Sequence, residues 1–284
     1  MDIDKILEAG RIAKEAREYA QKLCKSITDG LELAIKVEEF IKKRAKLAFP
    51  VNVSIHNVAA HFSPIEPIEM YGVVKIDLGA NVDGYLSDTA FSCDLDGNYE
   101  ELVEASKKAL ENASKIMRYG VTLSEIGKTI EETIKSYGFN PIKNLTGHSI
   151  EYNQLHGGLY IPNYDNGDKT IIKEGLYAIE PFATMGKGYV RNGPPSNIYI
   201  LVKPKRVRDI RARKVLQYII ENYGWLPFAK RWLIEEFGPI DRELYYLLKE
   251  GIIYSYPQLI EEKPVSQFEH TFLVLKDKTI ITTL

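Results

Sequence analysis

The chain reads as a mixed α/β protein of the α+β kind, and two observations predict it. Residues 71–91 and 265–283 each carry the pattern of an antiparallel hairpin, while residues 3–48 and 99–137 carry apolar side chains at helical spacing. At 284 residues and 45% hydrophobic content, the chain can bury one large core with an insertion, or two domains.

The first hairpin organises the rest. Tyr71 to Val82 and Tyr85 to Phe91 are joined by Asp83-Gly84, a dipeptide suited to a two-residue type I′ turn. That loop sets Val82 opposite Tyr85, Gly79 opposite Asp88 and Asp77 opposite Ala90. Because side chains alternate along a strand, Asp77, Asp88 and Ala90 share one face. The two carboxylates are then diagonal neighbours, roughly 7–8 Å apart at the backbone. Two unpaired charges among apolar neighbours are costly, so a cation is expected between them.

Composition narrows the function classes. A formal net charge of -2 argues against an overall nucleic-acid or membrane-surface role. Cys24 and Cys93 are isolated and fit neither a disulfide framework nor a cysteine-rich zinc site. The start, Met1-Asp2-Ile3-Asp4-Lys5, lacks an apolar signal core, and no apolar run approaches the ~18 residues of a spanning helix. A cytoplasmic protein is expected. The glycosylation-like triplets at Asn52, Asn112 and Asn144 are then coincidental.

In chain order, two helices are predicted from about residue 3 to 48, broken near Thr28-Asp29-Gly30 and ended by Phe49-Pro50. Val51 to Ile55 alternates as a strand and leads to His56 and His61. The loop from Asn57 to Pro64 runs toward the aspartate hairpin, which ranks His61 above His56 as a functional residue. Helices follow at 99–118 and 123–137, punctuated by Gly120 and Gly138. Asp94-Leu95-Asp96-Gly97-Asn98 reads as a turn, because its glycine falls too early for a calcium loop. His148 and His156 are too far apart to be a helical ligand pair, so they belong to loops or strand ends. Leu176 to Ile179 is a strand feeding into Glu180.

Composition shifts at Asn192-Gly193-Pro194-Pro195. Helices are predicted at 209–223, 227–237 and 241–250, followed by a short strand or wing at 251–257. A helix-helix-helix-wing order with Lys203, Lys205, Arg206, Arg208, Arg211, Arg213 and Lys214 raises nucleic acid as a partner. A solvated helix face, partly paired with Asp209, Glu221, Glu235 and Glu236, is the preferred reading. The chain closes on a hairpin of Val265–Leu275 and Thr279–Thr283 with Glu269 in mid-strand, a poor place for a glutamate unless it is paired.

Asp77, Asp88, His148, Glu180 and Glu269 form an inventory of four carboxylates and one imidazole. It suits two divalent metals about 3.5–4 Å apart rather than a closed structural zinc site. Spacing alone does not bring the five together. Five segments supply the link: Lys75-Ile76-Asp77-Leu78-Gly79, Asp88-Thr89-Ala90-Phe91, Gly147-His148-Ser149-Ile150, Ala178-Ile179-Glu180-Pro181-Phe182 and Gln267-Phe268-Glu269-His270-Thr271. In these motifs, in this order, the chain resembles the methionine aminopeptidases. The segment between Glu180 and Glu269 resembles the helical insertion of the type II enzymes, in the archaeal style.

The resemblance implies the pita-bread fold, with residues 1–193 and 265–284 as the catalytic domain and 194–264 as an inserted, winged-helix-like helical subdomain. It implies Asp77 as a ligand of one metal, Asp88 and Glu269 as bridges, and His148 and Glu180 as completing the other site. The cofactors would be two divalent ions, cobalt, manganese, iron or zinc. His61 would lie near the scissile amide nitrogen, His156 near the substrate carbonyl, and Leu155 and Phe182 in the methionine pocket. Glu180 would shuttle a proton in an attack by bridging hydroxide. The implied activity is removal of N-terminal methionine from peptides and nascent chains, with a small second residue preferred. A monomer in transient contact with the ribosome is expected, with neither membrane nor specific DNA as a partner. An X-Pro dipeptidase or aminopeptidase P, a single-metal hydrolase, and a non-catalytic pita-bread protein binding RNA or ribosomes are the alternatives.

Overall fold

The computed structural model describes residues 1–284. Two halves of the body repeat one device, a pair of amphipathic helices laid on an antiparallel sheet. In the first, α1 (Ile3–Leu23) and α2 (Gly30–Lys42) cover the strands Asn52–Ile55, Val73–Leu78 and Thr89–Asp94, which pair in that order. Ile12, Ala13, Ala16 and Ala20 of α1 meet Val53, Val74, Ile76 and Phe91 in one core. In the second, α3 (Glu100–Ile116) and α4 (Leu123–Ser136) cover a five-stranded sheet ordered Tyr160–Pro162, Thr146–Ile150, Gly175–Ile179, His270–Val274 and Thr279–Ile281. Ala105, Ala109, Ile126 and Ile130 there pack on Ile179 and Phe272. Each fully buried isoleucine or leucine in these cores contributes about 1.5–3 kcal/mol.

Local chemistry explains the helix limits. Asp29 Oδ1 accepts from Leu31 N at 2.9 Å, starting α2 where α1 has ended. Thr122 and Glu125 form a reciprocal capping box at the start of α4. Gly138, with φ +80°, follows α4 and lets the chain leave the helix in a conformation that other residues resist.

The aspartate hairpin has the expected register. Val82 faces Tyr85 and Asp77 faces Ala90, with Asp83 and Gly84 at φ +50° and +90°, as a type I′ turn requires. Its ladder opens in the middle, however. A Cβ on Gly79 would lie 2.3 Å from Ser87 O, so only glycine allows the two strands to approach there. The main chain of Asp88 turns instead to the other half, where its N–H donates to Thr271 Oγ1 at 2.8 Å and its carbonyl accepts from the same hydroxyl at 2.7 Å. One residue pair further, Glu269 N donates to Ala90 O at 3.0 Å. Glu269 therefore lies in a break between the strands Val265–Gln267 and His270–Val274, rather than inside one continuous strand.

A third core is made by residues between Tyr199 and Ile253, chiefly from α5 (Ile210–Asn222), α6 (Lys230–Phe237) and α7 (Asp241–Lys249). Helix α6 begins at Lys230 and not Pro227, because Phe228 and Ala229 pair with Tyr199 and Ile198. The stretch read as a strand or wing is the strand Ile253–Ile260, held between Arg191–Leu201 and Val58–Ala60 of the body. Arg206, Arg208, Arg213 and Lys214 are exposed, and Arg211 donates to Phe237 O at the last residue of α6 and to Pro239 O just after it. The Asp94 loop closes on itself as a turn, its carboxylate accepting from Gly97 N and Tyr99 N. No helix is long and apolar enough to cross a membrane.

Candidate metal centre

Strand register alone decides which side chains meet. Asn52, Asp77, Ala90 and Glu269 are directly opposite one another across four neighbouring segments, so their side chains share a face. His148, Ala178 and Thr271 form the adjacent row in the second half. Asp88, just before the strand of Ala90, and Glu180, just after the strand of Ala178, lie outside the ladders and reach the same floor beside His148. Five side chains that are remote in sequence thus converge on one floor.

The distances fit a shared cation. Ligand atoms of Asp88, His148 and Glu269 all lie within 4.8 Å of one another. His148 Nε2 is 3.5 Å from Asp88 Oδ2 and 3.7 Å from Glu180 Oε1. Its Nδ1 is 3.2 Å from Ser149 O, a carbonyl that can only accept. That carbonyl can hold a proton on Nδ1, which leaves Nε2, the nitrogen facing the carboxylates, as the one a cation would take. Gln267 Nε2 donates to Glu269 Oε2 at 3.2 Å, and Asn163 Nδ2 ties Glu180 O to Leu145 O.

The electrostatics show what the floor lacks. Asp77 Oδ1, Asp88 Oδ1 and Glu269 Oε1 are buried with no hydrogen-bond partner. Burial, reinforced by the neighbouring carboxylates, holds Asp77 and Glu269 far above the usual carboxylate range. Burial pushes Glu180 up to about 8. For His148, burial favours the neutral ring, but the hydrogen bond to Asp88 and the charge of Glu180 outweigh it and raise the pKa. A cluster that holds its protons this firmly without a cation suits oxygen-and-imidazole coordination of a divalent ion. The donor set fits a metal, and Asp77, Asp88, His148, Glu180 and Glu269 could hold it.

A cleft of about 190 Å³ opens above this floor, and every sequence-predicted residue lines it: His61, His156, Leu155 and Phe182 together with the five. His61 has φ +60°, a conformation disfavoured outside glycine, and its ring stands edge-on to Tyr256 at 5.2 Å. Burial lowers its pKa to about 4, with the Pro257 backbone offsetting part of the effect. The His156 ring lies 4.3 Å from that of His148. Its outer edge is exposed at the mouth of the cleft, but desolvation by the walls and the two neighbouring imidazoles keep it neutral, below its ordinary 6.5. His56 stands outside the cleft. Its ring packs on Tyr71 and Tyr99, over the space that a side chain at Gly72 would need.

Sequence reasoning missed part of the lining. Asn52 Oδ1 is buried without a partner in the cleft, directly across the ladder from Asp77. Its position in an alternating strand one pair from the aspartate hairpin was the available signal. Ile198, Pro227, Tyr256 and Leu259 form a wall from the segment after residue 193, and nothing in their spacing points to the cleft.

Four carboxylates and an imidazole under a walled cleft make the donor set of a divalent-metal centre. The chain belongs to metallopeptidase family M24, whose model matches residues 4–217. It is 46% identical over 294 aligned residues to the methionine aminopeptidase of Pyrococcus abyssi, covering 100% of both chains. It is 40% identical to the methionine aminopeptidase of Saccharolobus solfataricus, covering 99% of this chain and 98% of that one. Among solved structures, the methionine aminopeptidase of Thermotoga maritima superposes with a TM-score of 0.68 at 24% identity, covering 99% of this chain and 96% of that one. A thermophilic Arx1 superposes at 0.82 with 15% identity, covering 99% and 91%. These likenesses identify the architecture as the pita-bread fold, expected from the sequence motifs.

Proposed function

We propose that the chain removes the N-terminal methionine from peptides and nascent proteins, preferring a small second residue, with two divalent metals. One observation carries the reading: three buried carboxylate oxygens without partners converge beside His148 on the floor of a walled cleft. Asp77, Asp88, His148, Glu180 and Glu269 would hold the metals. When bound, the metals supply Lewis-acid polarisation and activate water at neutral pH.

The chain's own groups do the rest. His156, neutral at pH 7, donates its ring N–H to the scissile carbonyl and stabilises negative charge developing on that oxygen. Glu180 receives a proton on its carboxylate and passes it toward the leaving nitrogen, with neutral His61 hydrogen-bonding there. Leu155 and Phe182, 8% and 1% exposed, give the methionine side chain an apolar surface, and the wall from Ile198 to Leu259 crowds the second residue. We take residues 194–264 as an inserted subdomain and the protein as a cytoplasmic monomer that meets nascent chains near the ribosome.

The test is metal-loaded protein incubated with Met-Ala-Ser and, separately, with X-Pro dipeptides. Methionine release that chelator abolishes supports the reading. Turnover of X-Pro substrates alone, or RNA binding without peptide turnover under any metal, overturns it.

A further inference from the structure

Besides the strand pairing of Ile253–Ile260 with Val58–Ala60, one buried ion pair ties the segment after residue 193 to the body. Arg231 on α6 is 5% exposed, and Glu38 on α2 is 2% exposed. Arg231 Nη2 donates to Glu38 Oε1, which also accepts from Val51 N at 3.0 Å, while Trp232 Nε1 donates to Glu38 Oε2 at 2.8 Å. This anchors the guanidinium on one side. Its other arm, Nη1, donates to Ser63 Oγ and reaches Pro64 O at 3.4 Å.

Ser63 and Pro64 follow His61 by two and three residues, in the stretch that leaves the strand Val58–Ala60. The segment after residue 193 grips Ser63 twice more: Ser63 N donates to Ser196 O at 3.0 Å, and Asn197 Nδ2 donates to Ser63 O at 3.3 Å. On the body side, Ser63 Oγ donates to Val51 O at 3.0 Å. His61 needs such a clamp. Its backbone occupies the left-handed region, and its Nδ1 is buried without a partner, so the hydrogen bond to the Pro257 backbone and the edge of Tyr256 hold the ring from one side only. A planar fork with two arms at a set angle can bind the carboxylate and the loop together, whereas a lysine ammonium lacks that geometry.

We propose that Arg231 is a positioning residue for His61, and that holding the His61 loop is a task of the inserted segment. The inference rests on the role given above to His61. Arg231 touches neither substrate nor the metal ligands; it acts by fixing where the imidazole stands.

The experiment compares Glu38→Met/Arg231→Met with the wild type and with His61→Ala. Removing both charges avoids leaving one buried alone. The expected result is a kcat for Met-Ala-Ser at least ~10-fold lower, the scale of loss from a misplaced group, with KM and metal content little changed. In a His61→Ala background the same pair should change kcat by less than ~2-fold, because the group it positions is gone. In 15N-histidine spectra of the zinc-loaded protein, the His61 ring resonance should shift or split while the other four histidines stay in place. Arg231→Lys, read by the same spectrum, serves if the double variant does not fold. A loss of equal size in the His61→Ala background, or an unmoved His61 resonance, overturns the proposal. Wild-type kcat in His61→Ala alone removes the underlying reading of His61, and the proposal with it.

Discussion

Glu38 and Glu269 are almost equally buried, 2% and 1% exposed, yet the chain treats their oxygens in opposite ways. Both oxygens of Glu38 are occupied, by Arg231, Trp232 and Val51 N, so its charge is answered from within. Glu269 has one oxygen on Gln267 and one on nothing, and beside it Asp77 and Asp88 each keep an unpartnered oxygen. A buried charge needs an answer. Where the chain provides it, the cluster is an anchor between the inserted segment and the body. Where it does not, the answer comes from outside, and the cluster is a site.

Single substitutions put that contrast to the test. Asp88→Ala should bring turnover of Met-Ala-Ser to background and lower bound metal measured by elemental analysis. A wild-type rate with full metal content would refute its role as a ligand. Glu38→Ala should leave metal binding intact but cost about 3–5 kcal/mol of stability in urea melts, because Arg231 is left buried and unpaired. His61→Ala lies between these cases: kcat falls about 10²-fold while metal stays bound. Loss of metal in that variant would place His61 among the ligands.

The smallest effect carries the clearest sign. In chelator, Glu180 has a folded pKa near 8 against an ordinary 4.5, and Asp77, Glu269 and His148 are shifted upward too. A raised pKa contributes stability at low pH that is lost as pH climbs through the folded value. His61 and His156 are shifted downward from 6.5, so they oppose this trend only below that pH, while buried Lys75, shifted well below 10.5, opposes it within the window as one group against four. Between about pH 6.5 and 8, therefore, the Tm of metal-free protein should fall, and saturating metal should abolish or reverse the slope. Glu269→Gln should raise metal-free stability in that window, because burial among the neighbouring carboxylates disfavours the charged form that the substitution removes. A flat metal-free profile would mean that the floor carries no unanswered charge.

Much of the fold is legible in the order of the residues. Asp83-Gly84 sets the register that puts Asp77 across from Ala90, and Asp29 and Gly138 mark helix ends where they fall, whereas α3 stops at Ile116, short of Gly120. These are local signals, decided within a few residues by turn and cap chemistry. Convergence is a different matter. Asp77 and Glu269 meet because Ala90 pairs with both segments, and no periodicity encodes a pairing of such sequence separation. Shared motifs with a known family supply that link. The opening of the hairpin at Gly79 is hidden for the same reason, since its cause, Thr271, lies in the other half. Arg231 is invisible too. It stands outside the basic run of 203–214, and only its tertiary contacts separate it from a solvated arginine.

The most direct measurement is cobalt binding by equilibrium dialysis, comparing the wild-type chain with Glu269→Ala while the Glu38–Arg231 anchor is left intact. Retention of two ions per chain by the wild type, and loss of that retention in the variant, is the expected result. Equal retention by both proteins, or none by either, would contradict a metal centre built on these carboxylates.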